Sequence, residues 1–564
     1  MTEECIHNIL GLCWQPADRA EHASVFGFAE FLTIVAIFSV AYNISDHRYK
    51  FRIGIAPIPL LTLLFHVTIW SAATLVAISI WFDYSFLIPS FLNDPRIFEV
   101  AVAIVLLTVL LLWLRFAYLK PPLFSRQNGL RFAQQCFQAI SGGNPQELAA
   151  AAFEIGRSAR ELVKIARQKQ RTRDVDNGGF VTKPTELAAL ANDVLALAGD
   201  KRFCRHVAKQ VPWVAEEIFR EAGQDYLGEI QVIQFSRNIS SELLADPDAA
   251  IHHEDEWYSS GLIGHIKPMS VSIFGNSKLV EELADRGGSP LNPSWQQRRK
   301  WTAASWETYN RLVLLFLDDR FKKRNSVSVT TALHQIFEIY EHACLDSYRI
   351  NDMSDNYYEA IEFQKIRKVA DFINGVISLL EKYEIRAKKK PTLQDGRVVR
   401  QDIFDGLADV AFNLISASAS VDTAEFRSWE VQHNSVWSPL MRDYRDSEVR
   451  AIFRARLQRL LWKEIRDMER FPNFRGAKVI MVCLNIMGFK MDHDVHKPKE
   501  IRALKRSVIT WVRKNYFKLR EEHPKVAEAC LGGSLTYDPV GKIFIKTYSS
   551  KLGKSPDQEC LPVN

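Results

Sequence analysis

The sequence FEVAVAIVLLTVLLLWLRFAYL, residues 98–119, decides the fold of the N-terminal part of this chain. Thr108 is the only polar side chain in its interior, and about 20 such residues form a helix long enough to cross a bilayer. Pro121 and Pro122 follow the run and end it, because proline cannot continue a helix. We therefore predict that residues 98–119 form a transmembrane helix.

Two earlier apolar runs, residues 24–44 and 53–82, have similar length and composition. Pro57 and Pro59 stand near the start of the second run, so its regular helix is expected to begin at Leu60. The sequence thus predicts a three-helix transmembrane domain over residues 24–119, preceded by an extracytoplasmic segment, residues 1–23.

The basic residues predict the orientation of these helices. The first connection holds Arg48, Lys50 and Arg52, and Lys120 follows the third run, whereas the second connection has one basic residue. Positive charge collects on the cytoplasmic side of a membrane. We therefore expect the N-terminus outside and the large C-terminal region in the cytoplasm of a multi-pass protein, in a plasma membrane or a bacterial inner membrane.

The eight cysteines fit this orientation. Cys5 and Cys13 precede the first run and could form a disulfide if that end is extracytoplasmic; two free buried thiols are the alternative. The other six are scattered, and none of the eight forms a C-x-x-C pair. This spacing gives no support to a zinc ribbon or a redox motif.

Charge differs between the two parts of the chain. Residues 1–119 carry six Lys/Arg and nine Asp/Glu, whereas the remainder carries 66 and 57, a net charge of +9. Such an excess suits a domain that faces anionic lipid headgroups. It is too dilute over that length to favour binding of nucleic acid.

The remainder predicts a mainly α fold: a helical cytoplasmic domain over residues 123–386, a linker near Lys390, and a second helical part, residues 397–564. Residues 145–170 have the apolar period of one helix, with Glu154 on its polar face, and residues 171–184 have the composition of a loop. Residues 534–548 predict a small C-terminal β-hairpin, because two short apolar segments flank Asp538-Pro539-Val540-Gly541.

Two ionisable residues lie inside the predicted spans. Glu30 is expected about 9 Å into the first helix, at 1.5 Å per residue, and His66 falls near the middle of the second. Ionisable groups in a membrane are costly and suggest an ion path or a proton relay. The alternative, which we favour, is that both residues hydrogen-bond between packed helices.

Potential metal ligands cluster at His252, His253 and Glu254, with His265 nearby. His and carboxylate side chains bind divalent cations, but polar loops collect such residues without any function. The same two interpretations apply to a second cluster, residues 492–496, and to the helical trio His334, Glu338 and His342. The sequence assigns no cofactor.

No phosphate-binding, hydrolase, zinc-protease or kinase motif occurs in the chain, which argues against an enzyme. Most of its mass follows the apolar runs, unlike a transporter whose sites lie among many spans. The leading hypothesis is a membrane-anchored sensor or interaction protein that receives a cytosolic protein or small-molecule signal. We expect it to form a homo-oligomer in the bilayer. The alternatives are an oligomeric channel or membrane-permeabilising effector, and a membrane-tethered metal-dependent enzyme.

Overall fold

The computed structural model describes residues 7–9, 12–17, 25–44, 46–173, 180–254, 268–323, 326–354, 356–387, 393–394, 397–398, 402–422, 425–441, 447–491, 497–548 and 557–563. These residues form two compact units. The first runs to Gln224 and includes Gly228–Phe235, and the second contains Asp225–Leu227 and the chain from Ser236 onward.

The first unit is helical, with three short strands near the N-terminus and one hairpin. Its helices are α1 (Phe28–Ile44), α2 (His47–Gly54), α3 (Leu60–Asp83), α4 (Pro95–Leu114), α5 (Gly129–Gly142), α6 (Pro145–Arg157), α7 (Ala159–Ala166), α8 (Glu186–Leu197), α9 (Lys201–Gln210) and α10 (Trp213–Ala222). Its strands are β1 (His7–Ile9), β2 (Leu12–Pro16), β3 (Leu87–Pro89), β4 (Lys169–Arg173) and β5 (Phe180–Pro184). The hairpin of β4 and β5 replaces the predicted loop.

Within the described ranges, two helices are long and apolar enough to cross a membrane. They are α3, with 24 residues, and α4 with its π-helical continuation Arg115–Leu119, with 25 residues. Helix α1 has 17 residues and is too short to meet the same criterion, so two of the three predicted spans meet it by length and composition. The second predicted span was also too long, because its first residues belong to the separate helix α2 and the regular part begins at Leu60, as Pro57 and Pro59 indicate.

Apolar side chains hold α1, α3 and α4 together in layers. Near the α2 end, Phe38 of α1 and Trp113 of α4 lie with ring centroids 5.4 Å apart, in a cluster that includes Leu60. Near the opposite end, Phe31, Leu75 and Val102 form a second cluster. The three helices therefore pack on one another with little polar contact.

A small sheet lies at the end of these helices that is remote from α2. Strand β2 pairs antiparallel with β1 and with β3, which belongs to the connection between α3 and α4. Cys13 of β2 is disulfide-bonded; its predicted partner, Cys5, lies outside the described residues. The strands are only three to five residues long, and the sequence pattern did not predict them.

The second unit is also helical. Its helices are α11 (Ile233–Ala245, which starts in the first unit), α12 (Pro268–Phe274), α13 (Ser277–Asp285), α14 (Trp295–Arg298), α15 (Ala303–Lys323), α16 (Thr331–Glu341), α17 (Ile361–Lys382), α18 (Ile403–Ser418), α19 (Glu425–Trp429), α20 (Ser438–Met441), α21 (Glu448–Asp467), α22 (Phe474–Met487), α23 (Lys499–Glu522) and α24 (Pro524–Glu528). Its strands are β6 (Leu393–Gln394), β7 (Arg397–Val398), β8 (Leu535–Asp538), β9 (Ile543–Thr547) and β10 (Gln558–Pro562).

Aromatic rings and buried ion pairs fill the core of the second unit. The ring of Tyr340 on α16 stacks on Phe372 of α17 at 3.7 Å. Arg456 on α21 is 3% exposed and donates to Asp405 of α18 at 2.6 Å. The predicted boundary near Lys390 lies outside the described residues and stays a prediction.

A three-stranded antiparallel sheet lies near the C-terminus. Strands β8 and β9 form the predicted hairpin, and β10 adds a third strand beside β9. The fold class is therefore confirmed as mainly helical with a small C-terminal β element. That element is a three-stranded sheet rather than a hairpin alone.

Candidate functional site

Helix α2 connects the apolar helices to the helical part of the first unit. Its buried residue Arg52 donates from Nε to Oε1 of Glu154 on α6 at 2.6 Å, and from Nη1 to the carbonyl oxygen of Ala117 at 3.0 Å. Both side chains of the ion pair are almost inaccessible, with Arg52 7% and Glu154 0% exposed. One guanidinium thus joins α2, the end of α4 and α6. We call these three elements the junction.

Two further arginines contact the same carboxylate. Arg157 lies 2.9 Å from Oε2 of Glu154, and Arg48 lies 3.8 Å from Oε1 with its guanidinium over the ring of Phe153. Burial lowers the pKa of Arg48, and the nearby charge of Arg52 lowers it further. Three cations therefore share one carboxylate at the junction, and the excess positive charge lies next to the ends of the apolar helices.

Helix α5 and the residue before it hold the segment that connects α2 to α3. Nδ2 of Asn128 donates to the carbonyl oxygen of Ile55 at 2.9 Å, and Nη1 of Arg131 donates to those of Ala56 and Pro57 at 2.7 Å each. These carbonyls have no intrahelical partner because prolines interrupt the helix there. Helix α5 thus satisfies the backbone at the start of α3.

The prediction that Glu154 lies on the polar face of one long helix, opposite its buried stripe, is wrong, because Glu154 is fully buried. The helix ends at Arg157 and a new one begins at Ala159, so the polar stripe does not continue as predicted. Glu154 instead points at α2. The sequence does show that Arg48 and Arg52 lie four residues apart and therefore on one face of a helix. This spacing indicates a basic face, but it does not show which carboxylate pairs with it.

The two intramembrane candidates lie apart from the junction. Glu30 lies in the first turn of α1, is exposed, and accepts from the backbone nitrogen of Gly27 at 2.9 Å. Because α1 begins at Phe28, Glu30 is much nearer the helix end than the predicted 9 Å. His66 is exposed on α3, where its ring meets that of Phe65. In the described residues no hydrogen bond joins Glu30 and His66, and their role in ion movement stays a prediction.

The predicted metal ligands have structural contacts where they are described. Both carboxylate oxygens of the fully buried Glu254 accept hydrogen bonds at the start of α12, from the backbone nitrogens of Met269 (2.8 Å) and Ser270 (3.0 Å). His252 contacts Thr308 through Nδ1 at 2.8 Å, and burial lowers its pKa. His253 is exposed at the surface.

His265 and the cluster at residues 492–496 lie outside the described residues. Within the described ranges, no three His, Cys, Asp or Glu side chains lie close enough together to hold a metal ion. In the α16 trio, Nδ1 of His342 contacts the carbonyl oxygen of Glu338. The metal assignment therefore stays a prediction.

The chain matches no known family model, no curated protein and no solved structure. The strongest site on geometric grounds is the junction, where one buried ion pair joins elements 102 residues apart in sequence. Its groups are well suited to hold helices in a fixed arrangement, because each charge has a charged or backbone partner.

Proposed function

We propose that the chain is an integral membrane protein in which α3, α4 and the shorter helix α1, which packs against them, cross the bilayer. Only 11% of the apolar window of α3 and 22% of that of α4 are buried inside the protein. An apolar helix in a water-soluble core would be covered by its neighbours, whereas these helices present large apolar side chains such as Phe65, Trp70 and Leu111 at the surface. Lipid would cover that surface.

The proposed orientation puts the N-terminal sheet outside and the helical units in the cytoplasm. The basic residues of α2 and the excess charge of the junction support this, because positive charge collects on the cytoplasmic side. The disulfide at Cys13 supports it independently. Six other cysteines are free thiols, five of them buried, as expected for a reducing compartment.

In this orientation the protein would act as a membrane-anchored sensor or interaction protein. A signal or partner received by the cytoplasmic helices would reach the membrane helices through the junction. The observation that carries this proposal is the buried pair of Arg52 and Glu154, because a rigid, charge-assisted contact couples the movement of α6 to that of α2 and α4.

Trypsin accessibility of α2 tests the proposal. Helix α2 holds Arg48, Lys50 and Arg52, which trypsin would cut only if the helix leaves the junction. In membrane vesicles with the cytoplasmic face outward, we expect the wild type to resist cleavage there and Glu154→Gln to be cut at least tenfold faster. Glu186→Gln, the same change at an exposed position on α8, should behave as wild type. Equal cleavage of wild type and Glu154→Gln would refute the coupling.

A second candidate function, an oligomeric channel or membrane-permeabilising effector, is favoured by the position of His66. Ionisable side chains within membrane helices usually face other helices or water rather than lipid, yet His66 is exposed on α3 of the single chain. A second copy of the chain would cover it. Ion flux in liposomes that vanishes in His66→Ala or Glu30→Gln would support this function, and no flux from a folded oligomer would oppose it.

A further inference from the structure

A pocket in the second unit lies between α19, the C-terminal end of α22 and the C-terminal sheet. Its volume is about 410 Å³, within the range of small-molecule sites. We call it the Lys546 pocket, and its lining residues are Glu425, Phe426, Trp429, Asn485, Ser534, Lys546, Thr547 and Tyr548.

Lys546 is the unusual residue of this pocket. It is only 3% exposed, and within the described part of the chain its ammonium makes no hydrogen bond and no ion pair. Nζ makes a cation–π contact with the ring of Tyr548, whose centroid lies 4.4 Å away. Burial of a charge without hydrogen bonds is costly, and a ligand would supply the missing partner.

The nearest carboxylate does not fill that role. Both oxygens of Glu559 are used: Oε2 accepts from the backbone nitrogens of Phe489 and Lys490, and Oε1 accepts from the hydroxyl of Tyr548 at 2.8 Å. Glu559 therefore acts on Lys546 only through space. Burial lowers the pKa of Lys546 to about 8, although the negative charge of Glu559 opposes this shift.

Other charges make this region positive. Lys505 and Lys497 lie close enough to lower the pKa of Lys546, and the buried ammonium of Lys505 donates to the carbonyl oxygen of Lys490. Among the described residues, Lys505 and Lys497 thus add positive charge near Lys546, whereas Glu559 and the exposed Glu425 at the rim add negative charge. An anion would be attracted to the inner end of the pocket.

A second polar group faces the same space. Oδ1 of the buried Asn485 accepts from the nitrogen and hydroxyl of Ser534, at 3.3 and 2.6 Å. Its amide nitrogen makes no hydrogen bond with the described residues, so two N–H donors remain for a ligand. Asn485 and Lys546 together offer donors on one side of the pocket.

The remaining walls are aromatic. Trp429 stacks on His433 at 4.3 Å, which fixes the indole, and Phe426 is 77% exposed at the mouth. Tyr548 is held by its hydroxyl bond to Glu559. Flat rings stack well on such side chains.

We propose that the Lys546 pocket binds a small molecule that joins a planar ring to one anionic group, a carboxylate or a phosphate. The ring would lie against Trp429 and Tyr548, and the anion would accept from the ammonium of Lys546 and the amide of Asn485. This inference goes beyond the proposed coupling and does not depend on it, because binding is measured at the pocket itself.

Calorimetry on the full chain in non-ionic detergent tests the proposal, with phenyl phosphate, benzoate, inorganic phosphate and benzyl alcohol as probes. We expect phenyl phosphate or benzoate to bind, the uncharged benzyl alcohol to bind at least tenfold more weakly, and the comparison of the two anions to show whether phosphate or carboxylate is preferred. Inorganic phosphate should bind more weakly than phenyl phosphate. Lys546→Met should weaken the best probe at least tenfold, whereas Lys518→Met, at a position 74% exposed, should leave it unchanged.

A second measurement uses only the wild type, so its result does not depend on whether the Lys546→Met variant folds. Acetic anhydride acetylates free amines, and mass spectrometry gives the rate for each lysine. We expect the best anionic probe to slow acetylation of Lys546 at least fivefold and that of Lys518 not at all. Absence of binding by both aromatic anions at 10 mM, or binding that neither protects Lys546 nor weakens in Lys546→Met, would overturn the proposal.

Discussion

Nε of Arg52 lies 2.6 Å from Oε1 of Glu154, although the two residues are 102 positions apart and both are buried. Arg52 also reaches the carbonyl oxygen of Ala117 at the end of α4. The contact explains why a short polar helix between two apolar helices keeps a fixed position, because leaving the junction would expose or isolate both charges.

Removal of one partner of this pair should be costly. We expect Glu154→Met to lower the free energy of unfolding by about 3–5 kcal/mol, since it leaves the buried guanidinium of Arg52 without its carboxylate. Arg52→Met should also be destabilising but should cost less, because Arg157 and Arg48 still contact Glu154. The double variant should lose less than the sum of the two single variants, because the two side chains interact directly. Denaturant titrations in detergent measure these differences.

The exposed pair of Lys169 and Glu229, at 2.8 Å, serves as the control for this prediction. Lys169→Met should cost at most about 1 kcal/mol, because water screens exposed pairs. Additive losses in the Arg52 and Glu154 double variant would show that the two side chains do not interact.

Thiol labelling should report the proposed orientation. Among the free cysteines, Cys560 on β10 is exposed and the others are buried. A membrane-impermeant maleimide should therefore modify Cys560 only after intact cells are permeabilised. Cys13 should react from outside, but only after its disulfide is reduced.

Mass spectrometry of the labelled peptides distinguishes the two sites. Replacement of Cys560 by serine should abolish the label that requires permeabilisation and leave labelling of Cys13 intact. Labelling of Cys560 in intact cells would contradict the orientation.

The stability of the second unit should depend on pH through Lys546. Burial lowers its pKa from the ordinary 10.5 to about 8, against the opposing effect of Glu559 and with Lys505 and Lys497 adding to it. Between these two values the unfolded chain binds a proton that the folded chain does not, so this group makes stability rise with pH. Below about pH 8 both states carry the charge, and the full cost of its burial remains.

Lys546→Met should therefore be more stable than wild type at pH 7. Its advantage should shrink by up to about 1.4 kcal/mol per pH unit between pH 8 and 10. Chemical denaturation of both proteins at several pH values measures the difference. A difference that is constant from pH 7 to pH 10 would show that Lys546 does not have a lowered pKa.

Glu254 should act in structure rather than in metal binding. Its carboxylate accepts from two backbone nitrogens at the start of α12, so Glu254→Gln should cost about 1.5–3 kcal/mol of unfolding free energy. His253→Ala should change stability by less than about 0.5 kcal/mol, because the residue is exposed. Elemental analysis of wild type and both variants completes the test: one bound divalent metal per chain, lost in both variants, would establish the metal site instead.

The apolar helices were predictable because composition alone requires them. Residues 98–119 are apolar over a length that few other structures accommodate, and the prolines before Leu60 mark the start of α3. The residue at which α1 begins was less predictable. The backbone nitrogens of Val25 and Phe26 bond to the carboxylate of Glu99 on α4, and a contact 74 positions away leaves no trace in the local pattern.

The junction could not be predicted for a related reason. A helical period shows which side chains share a face, but it does not show what that face meets. Glu154 has Glu161 and Lys164 as neighbours in a pattern typical of a solvated stripe, and the break at Ser158 separates it from them. The short strands β1 to β3 were missed because none is long enough to show a detectable alternation. The pairing of β2 with β3 also joins segments about 75 residues apart.

Amide hydrogen exchange of α2 in proteoliposomes tests the central claim, that the junction holds α2 between α4 and α6, most directly. The account predicts that α2 is strongly protected in the wild type and in Glu186→Gln, and that Glu154→Gln speeds exchange of His47–Gly54 at least tenfold while α8 is unchanged. Exchange of α2 that is equally fast in the wild type and Glu154→Gln, or equally slow in both, would contradict it.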